Sequence, residues 1–279
     1  MAASEGRWSP GRTESDADEF RPVLDIVEPA RQRRLTVLLR LLLLIPHFVV
    51  LFVLHIAAFF TVIVGWFAAL ALGRLPDPVF RFLSGVLGYD MRVSAGDMLL
   101  IDRYPPFALT PPVDYPVRIE VRPTPLNRLA VLFRVFLMIP AAIVQSLAVY
   151  GWWAFAFVWW LITLVLGRIP RPLFEATAAT LRYRMRFTAY VMMLSPAYPK
   201  GLFGDDEFSV VPGTSRPAAR PLVLSSAAKW LVALFLVLGL AGHVTSSVTA
   251  STTDDTPTTR LLGPWTRGTP HGSFAAAAA

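Results

Sequence analysis

The stretch "GRLPDPVF" at 73–80 returns as "GRIPRPLF" at 167–174, each time directly after a long apolar run. Sliding the chain against itself by 94 residues aligns Pro22–Pro105 with Pro116–Pro199 without a gap, and 31 of the 84 pairs are identical. The anchors include Arg34/Arg128, Arg40/Arg134, Ile45-Pro46/Ile139-Pro140, Trp66/Trp160, Tyr89/Tyr183, Arg92/Arg186 and Tyr104-Pro105/Tyr198-Pro199. Such self-similarity has to be recognised before a fold is read. The chain is a tandem duplication of one unit, at 22–109 and 115–203.

Each unit opens on a short extended stretch ending in proline, "PVLDIVEP" at 22–29 and "PVRIEVRP" at 116–123. In the second, Val117, Ile119 and Val121 alternate with Arg118, Glu120 and Arg122, the period of a strand. A basic helix start follows, then the apolar block, then the GR-x-P turn, where Gly and Pro end the helix. The mixed segments 79–101 and 173–195 carry Arg81, Asp90, Arg92 and Asp97, and Glu175, Arg182, Arg184 and Arg186. Charges at that density argue against crossing a bilayer, and an amphipathic helix at the membrane interface is expected.

Composition sets the environment. Of 279 residues, 54% are hydrophobic and 16% charged, against about 25% charged in an average soluble domain. The blocks exceed the 18 apolar residues that mark a membrane span. The expected class is therefore an all-α integral membrane protein, multi-pass, with the lipid bilayer as its first partner. With no cysteine in the chain, disulfides, thiolate chemistry and Cys-based metal sites are excluded. The net charge of +7 is nearly all arginine. Arginines flanking apolar blocks act as topology signals and headgroup contacts, and no nucleic-acid motif accompanies them.

Outside the repeat, residues 1–21 read as a disordered polar tail, 204–225 as a linker and 226–249 as a C-terminal transmembrane helix. Residues 250–279 read as a disordered Ser/Thr/Pro/Ala-rich tail. Asp205-Asp206-Glu207 in the linker reads as solvated, and the last crossing follows Arg216, Arg220 and Lys229.

The block Leu35–Leu72 would span about 57 Å as straight helix, too long for one crossing of a core near 30 Å. Either Pro46 separates an interfacial helix from one tilted span, or the block is a tight hairpin of two short spans. The hairpin is favoured, because it returns both GR-x-P turns and their arginines to one side. It puts a turn at "VYGWWAF", 149–155, and makes five crossings in all.

The motifs "YPVRIEV" (115–121), "IPHFVVLFVL" (45–54), "GRLPDPVF", "GRIPRPLF", "MRVSA" (91–95), "MRFTAY" (185–190) and "DRYPPF" (102–107) together resemble the domain of unknown function 4389 family. That family is frequent in actinobacterial membrane proteins, often as two copies. The resemblance covers about 22–203 and implies no activity. The second copy departs from the first with Ala141 for His47 and "SPAYPKG" for "DRYPPFA".

Candidate chemistry is sparse. His47 and His55 lie about 80° apart on a helix and would suit a proton relay, yet no acidic residue sits in either block. Gln145 and Ser146 could hydrogen-bond between helices. Arg40 and Arg134 are expected to snorkel to headgroups, and Arg92 and Arg186 to mark an interfacial lipid or partner face. No catalytic pattern, metal site or cofactor site is found. The expected role is a non-enzymatic envelope scaffold or interaction protein, with a membrane-protein partner or a second copy. The alternative is a small transporter or channel built from the duplicated unit.

Overall fold

The computed structural model describes residues 22–27, 31–110, 112–204 and 223–254, the side chains of 246–254 excepted. The N-terminal tail, Glu28-Pro29, the acidic run 205–207, Arg216, Arg220 and the chain from 255 lie outside the described residues.

Unit 1 comprises β1 (Val23–Ile26), α1 (Arg34–Leu38), α2 (Arg40–Leu72) and α3 (Asp77–Asp97). Unit 2 comprises β2 (Val117–Glu120), α4 (Arg128–Leu132), α5 (Arg134–Ala154), α6 (Ala156–Leu166) and α7 (Arg171–Val191). The C-terminal helix α8 (Ser226–Asp254) follows. Residues 243–254 carry that helix on as a separate unit.

The apolar blocks are not hairpins. In unit 1, α2 runs unbroken for 33 residues with Pro46 inside it, about 50 Å at helical rise. In unit 2 the helix pauses only at Phe155 (φ −115°, ψ 14°), and Trp159 N–H already bonds back to the Phe155 carbonyl at 3.0 Å. A one-residue pause with the ladder resuming beyond it cannot reverse a chain, so the expected turn at 149–155 is absent.

The reversal comes one element later, at GR-x-P. Gly73 and Gly167 cap their helices in the left-handed region (φ 70° and 66°), which favours glycine. Pro76 and Pro170 then hold an extended residue, and Pro78 and Pro172 sit in the first turn of the next helix, where the missing N–H costs nothing. α3 thus folds back along α2, with Val79 beside Gly65 at one end and Gly96 beside Leu44 at the other.

The two units are related by a local twofold axis. β1 and β2 pair antiparallel, and the register Val23↔Glu120, Ile26↔Val117 maps onto itself when the copies are exchanged. The same exchange relates Gln32 N–H to Gly167 O (2.9 Å) with Leu126 N–H to Gly73 O (2.8 Å). It also relates the indole of Trp66 on Val131 O (3.1 Å) with that of Trp160 on Val37 O (2.9 Å). The start of each apolar block therefore meets the end of the other, and α2 runs opposite to α5–α6.

Burial runs against apolarity. Only 7 of the 33 residues of α2 are buried, a stripe (Arg40, Leu44, His47, Leu51, Ala58, Gly65, Ala69) facing α3. By contrast 12 of 21 residues are buried in α3 and 15 of 21 in α7. The mixed helices expected at an interface are therefore the inner helices, enclosed on most sides. Beside them α8 lies against α5 so closely that a Cβ at Gly151 or Gly239 would strike the backbone of Phe235 or Leu147.

Candidate functional site

At the centre of the seam between α3 and α7, Asp90 faces its own counterpart in the other copy, Arg184. Arg184 Nη2 donates to both carboxylate oxygens at 3.2 Å, and its Nη1 donates to Ser94 Oγ at 3.1 Å. Ser94 in turn donates to Asp90 at 3.3 Å. Asp90 is buried and Arg184 half-buried, so the pair satisfies a carboxylate that is shut away from water.

Arg40 and Arg134, expected at headgroups, and Arg92 and Arg186, expected at an interfacial lipid or partner face, are instead buried. Arg40 donates to Gly96 O (2.9 Å), Gln32 Oε1 (3.3 Å) and Asp102 Oδ1 (3.4 Å). Arg134, its counterpart, donates to Tyr190 O (2.8 Å) and Ser195 O (3.2 Å) and lies 4.2 Å from the Tyr190 ring centroid. Arg92 reaches the carbonyls of Ala108 and Leu109, and Arg186 those of Pro22 and Lys200. Arg40, Arg92 and Arg134 fasten irregular chain or a helix end of their own unit, while Arg186 holds Lys200 of its own unit and Pro22 at the start of the other. Guanidinium donors engaged this way are not offered to lipid.

The histidines are not brought together. His47 is fully buried, its Nδ1 2.5 Å from Tyr89 Oη, its ring stacked on Phe107 at 4.0 Å and beside Tyr104 at 4.8 Å. His55 is exposed, and Gln145 is half-buried on α5. Near Arg40, Asp102 and Tyr104 lies a cleft with about 20 Å³ of water-accessible space, enough for one water molecule. Among the described residues no group of three or more His, Asp or Glu is placed to hold a metal ion.

Asp97 completes the polar interior of unit 1. Its Oδ1 is buried without a partner, and burial pushes the carboxyl up to about 6 against the pull of Arg184 and Arg40. In unit 2 the matched residues are Val191 for Asp97, Pro196 for Asp102 and Ala141 for His47. The polar cluster therefore belongs to one copy plus a single arginine from the other.

Sequence reasoning singled out Arg40, Arg92, Arg134 and Arg186 by position but not by role, and it passed over the Asp90–Arg184 pair. The available signal was the 94-residue offset itself, which sets an acid opposite a base.

The family model described as domain of unknown function (DUF4389) matches the chain twice, at residues 34–108 and 128–202. No curated protein and no solved structure matches it.

Proposed function

The chain belongs to the DUF4389 family, and from that premise we propose that it is a non-enzymatic integral membrane protein, a scaffold or interaction partner in the bacterial plasma membrane. The observation that carries this reading is the inverted relation between apolarity and burial. Sixteen large hydrophobic residues of α2 are exposed, Phe52, Phe59, Phe60 and Phe67 among them, while the charged helices are enclosed. Water would penalise that exposure at about 25 cal/mol per Å²; hydrocarbon would not. Three helices, Arg40–Leu72, Arg134–Ala154 and Ser226–Thr245, are long and apolar enough to cross a membrane. A scaffold role is supported by an interior filled with arginine–carbonyl clamps and the ion pairs Asp90–Arg184 and Arg40–Asp102. Partners on this reading are lipid and a membrane protein or a second copy, with no nucleic acid.

Membrane fractionation tests the environment. The protein is expected to stay in the pellet after alkaline carbonate extraction, and its release as a monodisperse soluble species would overturn the reading.

One observation favours the transporter alternative: the two copies run in opposite directions, as in inverted-repeat carriers. A proton leak through reconstituted vesicles, lost in Asp97→Asn, would move that alternative ahead.

A further inference from the structure

The connector between the units sets how the molecule can sit in a bilayer. It begins beside the first residue of α2, where Asp102 pairs with Arg40 at 3.4 Å and Leu99 O accepts from Gln32 Nε2 at 2.6 Å. It ends beside the last residue of α2, where Leu126 N–H bonds to Gly73 O at 2.8 Å. Its route therefore runs the length of α2, about 50 Å. Apart from β2 its described residues are irregular, and they include the exposed Arg103, Asp114, Arg118 and Arg122. Among the described residues the sheet it joins has two strands, and each keeps one edge outside the ladder.

Hydrocarbon does not tolerate lipid-facing irregular backbone or open strand edges, nor several exposed charges at mid-depth. If α2 and α5–α6 crossed the membrane, the connector would have to cross beside them. The sheet, which lies on the twofold axis midway along the helices, would then sit at the bilayer centre. That placement is excluded by the same physics that puts α2 in lipid.

The arginines agree. One end of the molecule carries exposed Arg34 and Arg168, and the other carries their copy-matched partners Arg128 and Arg74. With the axis in the membrane plane, equal positive charge would fall on both sides, against the charge bias of membrane proteins. With the axis along the membrane normal, all four lie at one headgroup level on one side.

We infer that the molecule is immersed from one side, its twofold axis along the membrane normal, with α2 and α5–α6 lying in one leaflet and the two-stranded sheet in water. A helix about 10 Å across fits within a leaflet half as thick as the roughly 30 Å core. The occupant of the apolar face is the acyl layer of that leaflet, and the exposed arginines at both ends meet its phosphates. Both GR-x-P turns then share one aqueous side.

This inference rests on the membrane reading above, and the test separates the two. The natural chain is free of cysteine, so Asp77→Cys, Arg171→Cys and Arg118→Cys report singly on the two turns and the sheet, all three positions being exposed. Full-length variants in sealed right-side-out and inside-out vesicles are treated with a membrane-impermeant maleimide. Labelling of all three from the same side is the expected result. Labelling of positions 77 and 171 from opposite sides overturns the one-sided arrangement while leaving membrane residence intact. Release of the protein by carbonate fails the membrane reading instead. Should any variant not accumulate, Arg74→Cys and Arg168→Cys report on the same two turns.

Discussion

The two copies share a skeleton and differ in their interiors. Gly73/Gly167, Arg40/Arg134 and Trp66/Trp160 do the same work in both, down to matched left-handed residues after the inner helices, Leu99 (φ 62°) and Met193 (φ 58°). The polar groups do not repeat: His47, Asp97 and Asp102 stand against Ala141, Val191 and Pro196. The skeleton positions act within a unit or reciprocally between units, so both copies need them. Position 90/184 sits at the twofold axis and meets itself. A perfectly repeated sequence would set two aspartates or two arginines face to face there, at an energetic cost. The two copies differ at that position, and the self-contact is an acid–base pair.

The comparison breaks most visibly at that pair. Asp90→Arg places two guanidinium groups at the seam, and we expect a loss of about 3 kcal/mol, the lower end for disrupting a buried pair, because Arg184 keeps partial solvent access. The exchange Asp90→Arg with Arg184→Asp should recover most of it, since the twofold makes the two sides nearly equivalent. Thermal melting in detergent micelles reads both variants. A swap no more stable than the single variant would show that the neighbouring Ser94 had already committed its side to one charge.

Much of this architecture is legible in the residues. The repeat, the strand-like openings and the Gly–Pro turn all follow from spacing and backbone chemistry, and β1, β2 and both GR-x-P turns stand where those signals put them. The chain reversal is misplaced by the sequence reading because a 38-residue apolar block is too long for one perpendicular crossing. Of the two ways to fit it the hairpin, unlike an interfacial helix before one tilted span, returns both GR-x-P turns to one side. A helix lying along the membrane has no such length limit. The buried arginines were misread for a related reason. One arginine near the end of an apolar helix carries no sign of whether a carbonyl or a phosphate receives it. The carbonyls that do, at Gly96 and Tyr190, lie 56 residues away in sequence and show no side-chain signature.

The reciprocal tryptophans sharpen the symmetry with a smaller effect. Each indole donates to a carbonyl of the opposite unit, Trp66 to Val131 and Trp160 to Val37. Trp66→Phe and Trp160→Phe should each cost about 1 kcal/mol, the net worth of one hydrogen bond with a large aromatic retained. Equal losses by melting are the signature of the twofold. A loss several times larger in one copy would mean that the contacts carry different loads.

A pH series isolates the polar interior of unit 1. Burial pushes the Asp97 carboxyl up to about 6 from its ordinary 3.8, with Arg184 and Arg40 pulling the other way. The folded chain therefore holds this proton more tightly than the unfolded chain does. As pH rises from about 4, the unfolded state releases the proton first and gains relative to the folded one. Stability should thus decline between about pH 4 and pH 6 and level off above, the reverse of the trend a salt-bridged carboxylate produces. Asp97→Asn removes the proton exchange and with it this part of the slope, while unit 2, with Val191 at that position, contributes none. Melting temperatures of both proteins from pH 4 to 7 read the difference. Parallel curves would mean that the carboxylate finds water or a cation in the membrane-bound protein, and the cluster around Arg40 would then be open enough to exchange protons with solvent.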